Sequence, residues 1–83
     1  MINKEFLIEQ FEKAMKDKKC VYVIVNIFGN EEIIINKAEN VKSKLEYYKK
    51  AYDDNLVLKT NKDIEIVSFG IGLENIYQLL KLY

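Results

Sequence analysis

The residue types that carry most enzyme chemistry are nearly absent from this chain. It has no histidine, which is the commonest general base, and only one cysteine, Cys20, so no Cys–His pair can form. Ser43, Ser68 and Thr60 cannot join a Ser-His-Asp triad for the same reason. We therefore expect no catalytic residue, and we interpret Cys20 as small apolar packing at a strand edge.

Carboxylates are plentiful, but their spacing does not indicate acid–base or metal chemistry. Glu31 and Glu32 are neighbours on a predicted strand, where successive side chains point to opposite faces, so they cannot converge on one substrate. The run Asp53–Asn55 lacks the Asp-x-Asp-x-Asp-Gly layout of a calcium loop, and no Cys-x-x-Cys pair exists for zinc. We expect neither a metal nor a cofactor.

One segment, Gly70-Ile71-Gly72, suggests nucleotide chemistry. The sequence predicts a strand before it and a helix after it, and a helix N-terminus offers free backbone N–H groups to a phosphate. Asn75 replaces the third glycine of the dinucleotide fingerprint, and the eleven residues after Gly72 are too few for a βαβ unit. A minor enzyme or nucleotide binder using the Gly70–Gly72 corner is therefore an alternative; we favour a flexible strand–helix corner.

A second alternative is a small nucleic-acid-binding regulator built on a Lys/Tyr-rich helix predicted over residues 38–52. Lysines can meet phosphates and tyrosines can stack on bases. The candidate residues are Lys42, Lys44, Tyr47, Lys49 and Lys50. However, thirteen basic residues balance thirteen acidic ones and arginine is absent, so the excess positive charge of a nucleic-acid binder is missing. We do not expect nucleic acid to be the partner.

Length and composition predict a single domain, residues 1–83. One cysteine permits no internal disulfide, so a chain this short depends on regular packing or on a partner subunit, and we expect a homodimer. The longest apolar run, Cys20–Val25, is far below the roughly 20 residues that span a membrane. The polar start, Met1–Glu5, does not fit a signal peptide, so we expect a cytoplasmic protein.

The elements that would position these residues follow the order α-β-β-α-β-α. Apolar residues recur at helical spacing after Asn3, the expected cap of a helix over residues 4–18. A second stripe starts after Asn36, another expected cap; we favour its continuation to about Lys59 over a short strand at Leu56–Lys59.

The last third of the chain predicts one more strand and one more helix. The strand covers residues 64–69, Gly70–Gly72 form a loop, and the helix covers residues 73–83. The sequence therefore predicts an α+β fold, in which three helices pack with a small antiparallel sheet made of a hairpin plus one or two strands.

The hairpin is the feature with the most functional content. Residues 20–28 and 31–36 are rich in β-branched and aromatic residues, and Gly29-Asn30 predicts a two-residue type II′ turn that pairs Phe28 with Glu31 and Asn26 with Ile33. One face then carries Val21, Val23, Val25, Ile27 and Ile34, and the other carries Tyr22, Ile24, Phe28, Ile33 and Ile35. Because both faces are apolar, we expect the second to be a protein interface, unless helices cover both sides.

A resemblance to known proteins rests on four segments of the chain, which are Asn36–Asn40, Tyr47-Tyr48, Tyr52–Leu56 and Ile64–Ile66. In these segments, roughly the second and third quarters, the chain resembles small accessory proteins of phages and prophages of low-GC Gram-positive bacteria. Such proteins include anti-CRISPR inhibitors, which block a nuclease by stoichiometric binding. The resemblance implies a host defence nuclease as the target and a non-catalytic, protein-binding function. It transfers no site residue, and the zero net charge departs from the acidic DNA mimics.

Overall fold

The computed structural model describes residues 3–72 of the 83-residue chain. Its first element, helix α1 (Lys4–Asp17), begins as the sequence predicts, because the Phe6 N–H donates a hydrogen bond of 2.9 Å to Oδ1 of the capping residue Asn3. The buried stripe of α1 consists of Leu7, Phe11 and Ala14. These residues recur every three or four positions, which is the spacing that gives a helix one apolar side.

Two strands, β1 (Cys20–Ile27) and β2 (Asn30–Asn36), form the predicted antiparallel hairpin around a different turn. The turn residues are Phe28 and Gly29, with φ angles of 51° and 88°. Two positive φ values identify a type I′ turn, so Gly29 takes the second turn position and not the first. The Gly29 N–H donates a hydrogen bond of 2.8 Å to Asn26 Oδ1, which helps to hold this turn.

The new turn moves the hairpin register by two residues from the prediction. Asn26 lies opposite Glu31, and Ile24 lies opposite Ile33. The predicted pairs of Phe28 with Glu31 and of Asn26 with Ile33 are therefore wrong. Because the shift is even, the strand residues keep their predicted faces. Phe28 is the exception, since it lies in the turn and not on a face of the sheet.

The third strand, β3 (Ile64–Gly72), pairs with β1, so the sheet is antiparallel with the order β2-β1-β3. One bulge interrupts the register between β1 and β3. The predicted end of this strand at Phe69 is wrong. Gly70 and Gly72 continue the pairing with β1, opposite Tyr22 and Cys20. The expected loop at Gly70–Gly72 is thus part of the sheet.

Helix α2 (Val41–Ala51) follows a short 3-10 helix at Ala38–Asn40. The predicted cap, Asn36, is wrong: this residue ends β2, and its side chain is buried. The buried stripe of α2 consists of Val41, Leu45 and Tyr48, and it continues into Tyr52 just after the helix.

The second helix ends well before Lys59, where the sequence predicts continuation. Asp53 redirects the chain, because its Oδ1 accepts hydrogen bonds from the N–H groups of Asn55 and Val57, at 2.9 and 3.0 Å. Val57 and Leu58 then form isolated β-bridges, with Glu65 and Tyr52. The alternative of a short strand at Leu56–Lys59 is nearer to the structure.

Both helices pack on one side of the sheet, which we call the inner face. Its buried members are Val21, Val23, Val25, Ile66 and Phe69, and the helices contribute Leu7, Phe11, Ala14, Val41, Leu45 and Tyr48 to the same core. Residues 3–72 therefore form an α+β fold with two helices and a three-stranded antiparallel sheet. Neither helix is long and apolar enough to cross a membrane. The helix predicted over residues 73–83 lies outside the described residues.

Candidate functional site

The side of the sheet opposite the helices carries a second apolar surface, which we call the outer face. It consists of Tyr22, Ile24, Ile33 and Ile35, four of the five residues that the sequence predicts for an interface. None of the four belongs to the core that the described helices form. Ile33 is 50% exposed, and the other three are partly exposed. The structure thus brings these four side chains together on one surface.

Polar residues mark the hairpin end of the outer face. Asn26, Glu31 and Glu65 lie in one row across the three strands, since Asn26 pairs with both glutamates. The apolar part lies toward the opposite end, where Cys20 pairs with Gly72. An apolar centre beside a charged margin is the usual composition of a protein–protein interface.

Phe28, the fifth predicted interface residue, lies apart from the outer face. It is 63% exposed at the hairpin turn, and its backbone N–H donates a hydrogen bond of 3.1 Å to the Asp63 carbonyl oxygen. Its φ of 51° is left-handed, a conformation that costs a residue with a Cβ roughly 1–2 kcal/mol. The pattern Gly29-Asn30 predicts the turn one residue too late, and it therefore predicts Phe28 on the face.

The edge strand β2 contains an exposed residue, Ile34, that the sequence does not predict for a site. Ile34 shares the inner side of the sheet with Val23, its partner in β1, yet it is 37% exposed. The reason is that the described helices pack over β1 and β3 more than over β2. The alternation of side chains along the strand correctly predicts which face of the sheet Ile34 occupies. It does not predict that β2 is an edge strand.

The segment Gly70–Gly72 makes close contacts with residues of β1. A Cβ at Gly70 would come within 2.6 Å of Tyr22 Oη and 2.8 Å of Tyr22 Cε2, so the tyrosine ring lies directly over this glycine. The buried Cys20 thiol donates a hydrogen bond of 3.1 Å to the Gly72 carbonyl oxygen. Tyr22 therefore uses the space that a side chain at residue 70 would fill. Within β3, Gly70 and Gly72 thus take part in strand pairing and packing.

The lysines of α2 do not form one basic strip. Lys42 and Lys49 lie two turns apart on one side of the helix, whereas Lys44 projects toward the other side. Glu46 lies between Lys42 and Lys50 on the helix surface. Tyr47 is 50% exposed, and its ring makes edge contacts with Tyr48 and Tyr52, at centroid distances of 5.2 and 6.3 Å. The candidate nucleic-acid residues are exposed, but they are divided between two surfaces.

The buried phenols near α2 are held in their protonated form. Burial raises the pKa of Tyr48, and the neighbouring Asn36 side-chain amide lowers it in part. Burial also raises the pKa of Tyr52 to about 12, and the neighbouring Tyr47 and Tyr48 phenols add to the rise. Neither phenol is therefore a base at neutral pH. Both are packing residues of the core.

Among residues 3–72, Asn36 is the one buried polar residue, and its role is structural. Its Nδ2 donates a hydrogen bond of 3.2 Å to the Val21 carbonyl oxygen. Its Oδ1 has no hydrogen-bond partner among residues 3–72. The hydrogen bond from Nδ2 holds the end of β2 against β1. The buried Oδ1 without a partner lowers the net stabilisation, because it has lost its hydrogen bonds to water.

A shallow cleft of about 320 Å³ lies between the end of α1 and the start of α2. Its lining residues are Met15, Lys18, Ala38, Glu39 and Lys42. An anion there would meet a carboxylate as well as two ammonium groups, so the lining favours neither an anionic nor a cationic ligand. Within residues 3–72, no group of three or more His, Cys, Asp or Glu side chains is placed to bind a metal ion.

Comparison of the chain with known protein families, with curated proteins and with solved structures finds no match.

Proposed function

We propose that this protein is a non-catalytic binding module that presents the outer face of its sheet to a protein partner. The observation that carries the proposal is the position of Tyr22, Ile24, Ile33 and Ile35, which share one surface outside the core packing. Contiguous exposed apolar surface is costly in water and typically marks an interaction site. The row of Asn26, Glu31 and Glu65 supplies the polar margin that such a site needs.

The target class that we propose is a defence nuclease of the bacterial host, inhibited by stoichiometric binding. Support comes from the resemblance to phage accessory proteins. A mostly apolar face built on paired strands suits this role, because it can bury surface on a partner without reorganising the domain. The cytoplasm, where such a nuclease acts, is the proposed location.

The test compares two lysine substitutions at side chains of equal exposure. Ile33 on the outer face and Tyr47 on α2 are each 50% exposed, so a charge at either position should leave the monomer folded. Tagged wild-type, Ile33→Lys and Tyr47→Lys proteins are used to capture partners from host lysate, with quantitative mass spectrometry. We expect Ile33→Lys to lose the partner by more than tenfold, because a buried interface charge costs about 2 kcal/mol or more. Tyr47→Lys should retain it.

Val23→Lys serves as the folding control, since Val23 is fully buried on the inner face. A lysine there should unfold the domain, which circular dichroism detects. A partner that Ile33→Lys retains and Tyr47→Lys loses would refute the outer face and favour the Lys/Tyr helix. In that case a salt-dependent affinity for DNA or RNA would identify the nucleic-acid alternative.

A further inference from the structure

We propose that β2 is also a self-association site, where two copies of this chain pair edge to edge into one six-stranded antiparallel sheet. The proposed function needs only the outer face, so this inference can fail without affecting it. The interface would be two-fold symmetric, with Ile34 of each copy on the symmetry axis. Four features of β2 carry the inference: an unoccupied edge, outward backbone groups, unprotected apolar residues and a self-complementary order of side chains.

The first feature is the unoccupied edge. Strand β3 is partly covered at its own edge, because the Ile66 N–H donates a hydrogen bond of 2.8 Å to the Leu56 carbonyl oxygen and Val57 bridges to Glu65. No residue between 3 and 72 pairs with the outer edge of β2 in the same way. Within the part of the chain that the structure describes, this edge is therefore open to another strand.

The second feature is the direction of the backbone groups. Ile27 and Asn30 close the two-residue turn and form a hydrogen-bonded pair, so alternate residues of β2 bond to β1. The N–H and C=O groups of the remaining residues, Glu31, Ile33 and Ile35, point away from β1. A second copy of β2 running antiparallel would satisfy those of Ile33 and Ile35 with about four hydrogen bonds.

The third feature is the lack of protection at the centre of this edge. Natural edge strands resist pairing through charged side chains, proline, a bulge or short length. Strand β2 spans seven residues without proline and with a continuous register to β1, and its two charged residues, Glu31 and Glu32, both lie in the half next to the turn. At its centre, Ile33 and Ile34 are 50% and 37% exposed on opposite faces. A chain of this size gains stability by covering such residues with a second subunit.

The fourth feature is self-complementarity, and it selects the second copy as the occupant. With Ile34 opposite Ile34 of the other copy, Ile33 meets Ile35 and Glu31 meets Lys37. Lys37 continues the strand direction, with φ −62° and ψ 151°. Moving the register by two residues would instead place Ile34 opposite a glutamate or an asparagine. A strand whose two ends carry opposite charge around an apolar centre is what a two-fold antiparallel pairing requires.

The test uses single cysteines to read the register. Residues opposite each other in a non-hydrogen-bonded antiparallel pair have Cα atoms about 4.5 Å apart, within disulfide range. Ile34→Cys should therefore crosslink rapidly across the axis under mild oxidation. Ile33→Cys should not, because the two introduced thiols would lie on a diagonal of about 8 Å. The wild-type chain, with its Cys20 buried, is the control.

Random collision predicts the opposite result, since Ile33 is more exposed than Ile34. Faster or equal crosslinking of Ile33→Cys would overturn the proposed register. Light scattering on the uncrosslinked protein should give twice the 9.8 kDa chain mass, and a monomer mass would overturn the dimer.

A charge exchange gives an independent check on the same pairing. Glu31→Lys and Lys37→Glu should each weaken the dimer by about tenfold, because each places like charges opposite each other twice per dimer. The double exchange should restore the affinity, which a mere loss of folding could not do. Failure of this restoration would contradict the pairing of Glu31 with Lys37.

One further variant separates the dimer from the proposed function. Ser68 lies on the outer side of β3, opposite Ile24 and away from β2. Ser68→Lys should leave the dimer mass unchanged and weaken target capture. A loss of dimerisation in Ser68→Lys would move the self-association site from the β2 edge to the outer face.

Discussion

Phe28 occupies a backbone conformation that suits asparagine or glycine better than phenylalanine. Its φ is 51° in a type I′ turn, and 63% of its surface is exposed, so its side chain gains little from burial. We expect Phe28→Asn to raise the free energy of unfolding by about 0.5–1 kcal/mol, measured by urea denaturation. The control is Phe6→Asn: Phe6 is 46% exposed in α1, where its ring contacts Phe69, so this change should destabilise the protein.

The same substitution tests the reason for a phenylalanine at this position. A residue that is unfavourable for stability and exposed at a turn is typical of a binding surface. If Phe28 extends the interface beyond the outer face, Phe28→Asn should weaken partner capture while it stabilises the fold. A variant that is less stable than the wild-type protein would show that the left-handed backbone is not the dominant cost.

At the scale of elements, the loop after α2 depends on one carboxylate. Asp53 Oδ1 accepts two backbone hydrogen bonds, whereas the side chain of its neighbour Asp54 is exposed. We expect Asp53→Ala to lower the free energy of unfolding by about 1–2 kcal/mol, and Asp54→Ala to change it by less than about 0.5 kcal/mol. Thermal unfolding of the two variants measures the difference. Equal effects would mean that Asp53 does not determine where α2 ends.

The extents of α2 and β3 were harder to predict than their existence. Apolar spacing identified the stripe through Tyr48, but the same phase continues into Leu56, and spacing alone cannot reveal that Asp53 redirects the chain. Likewise, Gly70 weakens a strand by its own propensity. Here the Tyr22 ring from β1 covers it, so a contact between distant residues extends β3 to Gly72.

At the scale of the whole molecule, the buried phenols predict how stability depends on pH. The pKa of Tyr52 is raised from 10.0 to about 12, so folding favours the protonated phenol. Its contribution is fully present below pH 10 and is lost as pH rises toward 12. We expect the unfolding temperature to fall through this interval, and Tyr52→Phe to make the fall smaller. An unchanged pH dependence in Tyr52→Phe would contradict the raised pKa.

The sequence by itself determined the local properties of this protein. Helical spacing placed α1 and the buried side of α2, and Asn3 supplied the cap of the first helix. Alternation assigned each residue of the hairpin strands to a face, and it did so despite a wrong turn, because a shift of two residues does not change which side a residue occupies. These properties depend on neighbours within a few residues, so a linear pattern contains them.

The tertiary structure decided where elements end and which surfaces remain open. Phe28 is a turn residue because Ile27 pairs with Asn30. Gly70 belongs to the sheet, where the Tyr22 ring covers it. The pairing of β3 with β1 left β2 at the edge, with Ile33 and Ile34 exposed. Each outcome depends on contacts between residues far apart in the chain, whose energies exceed the local preferences that a sequence pattern records.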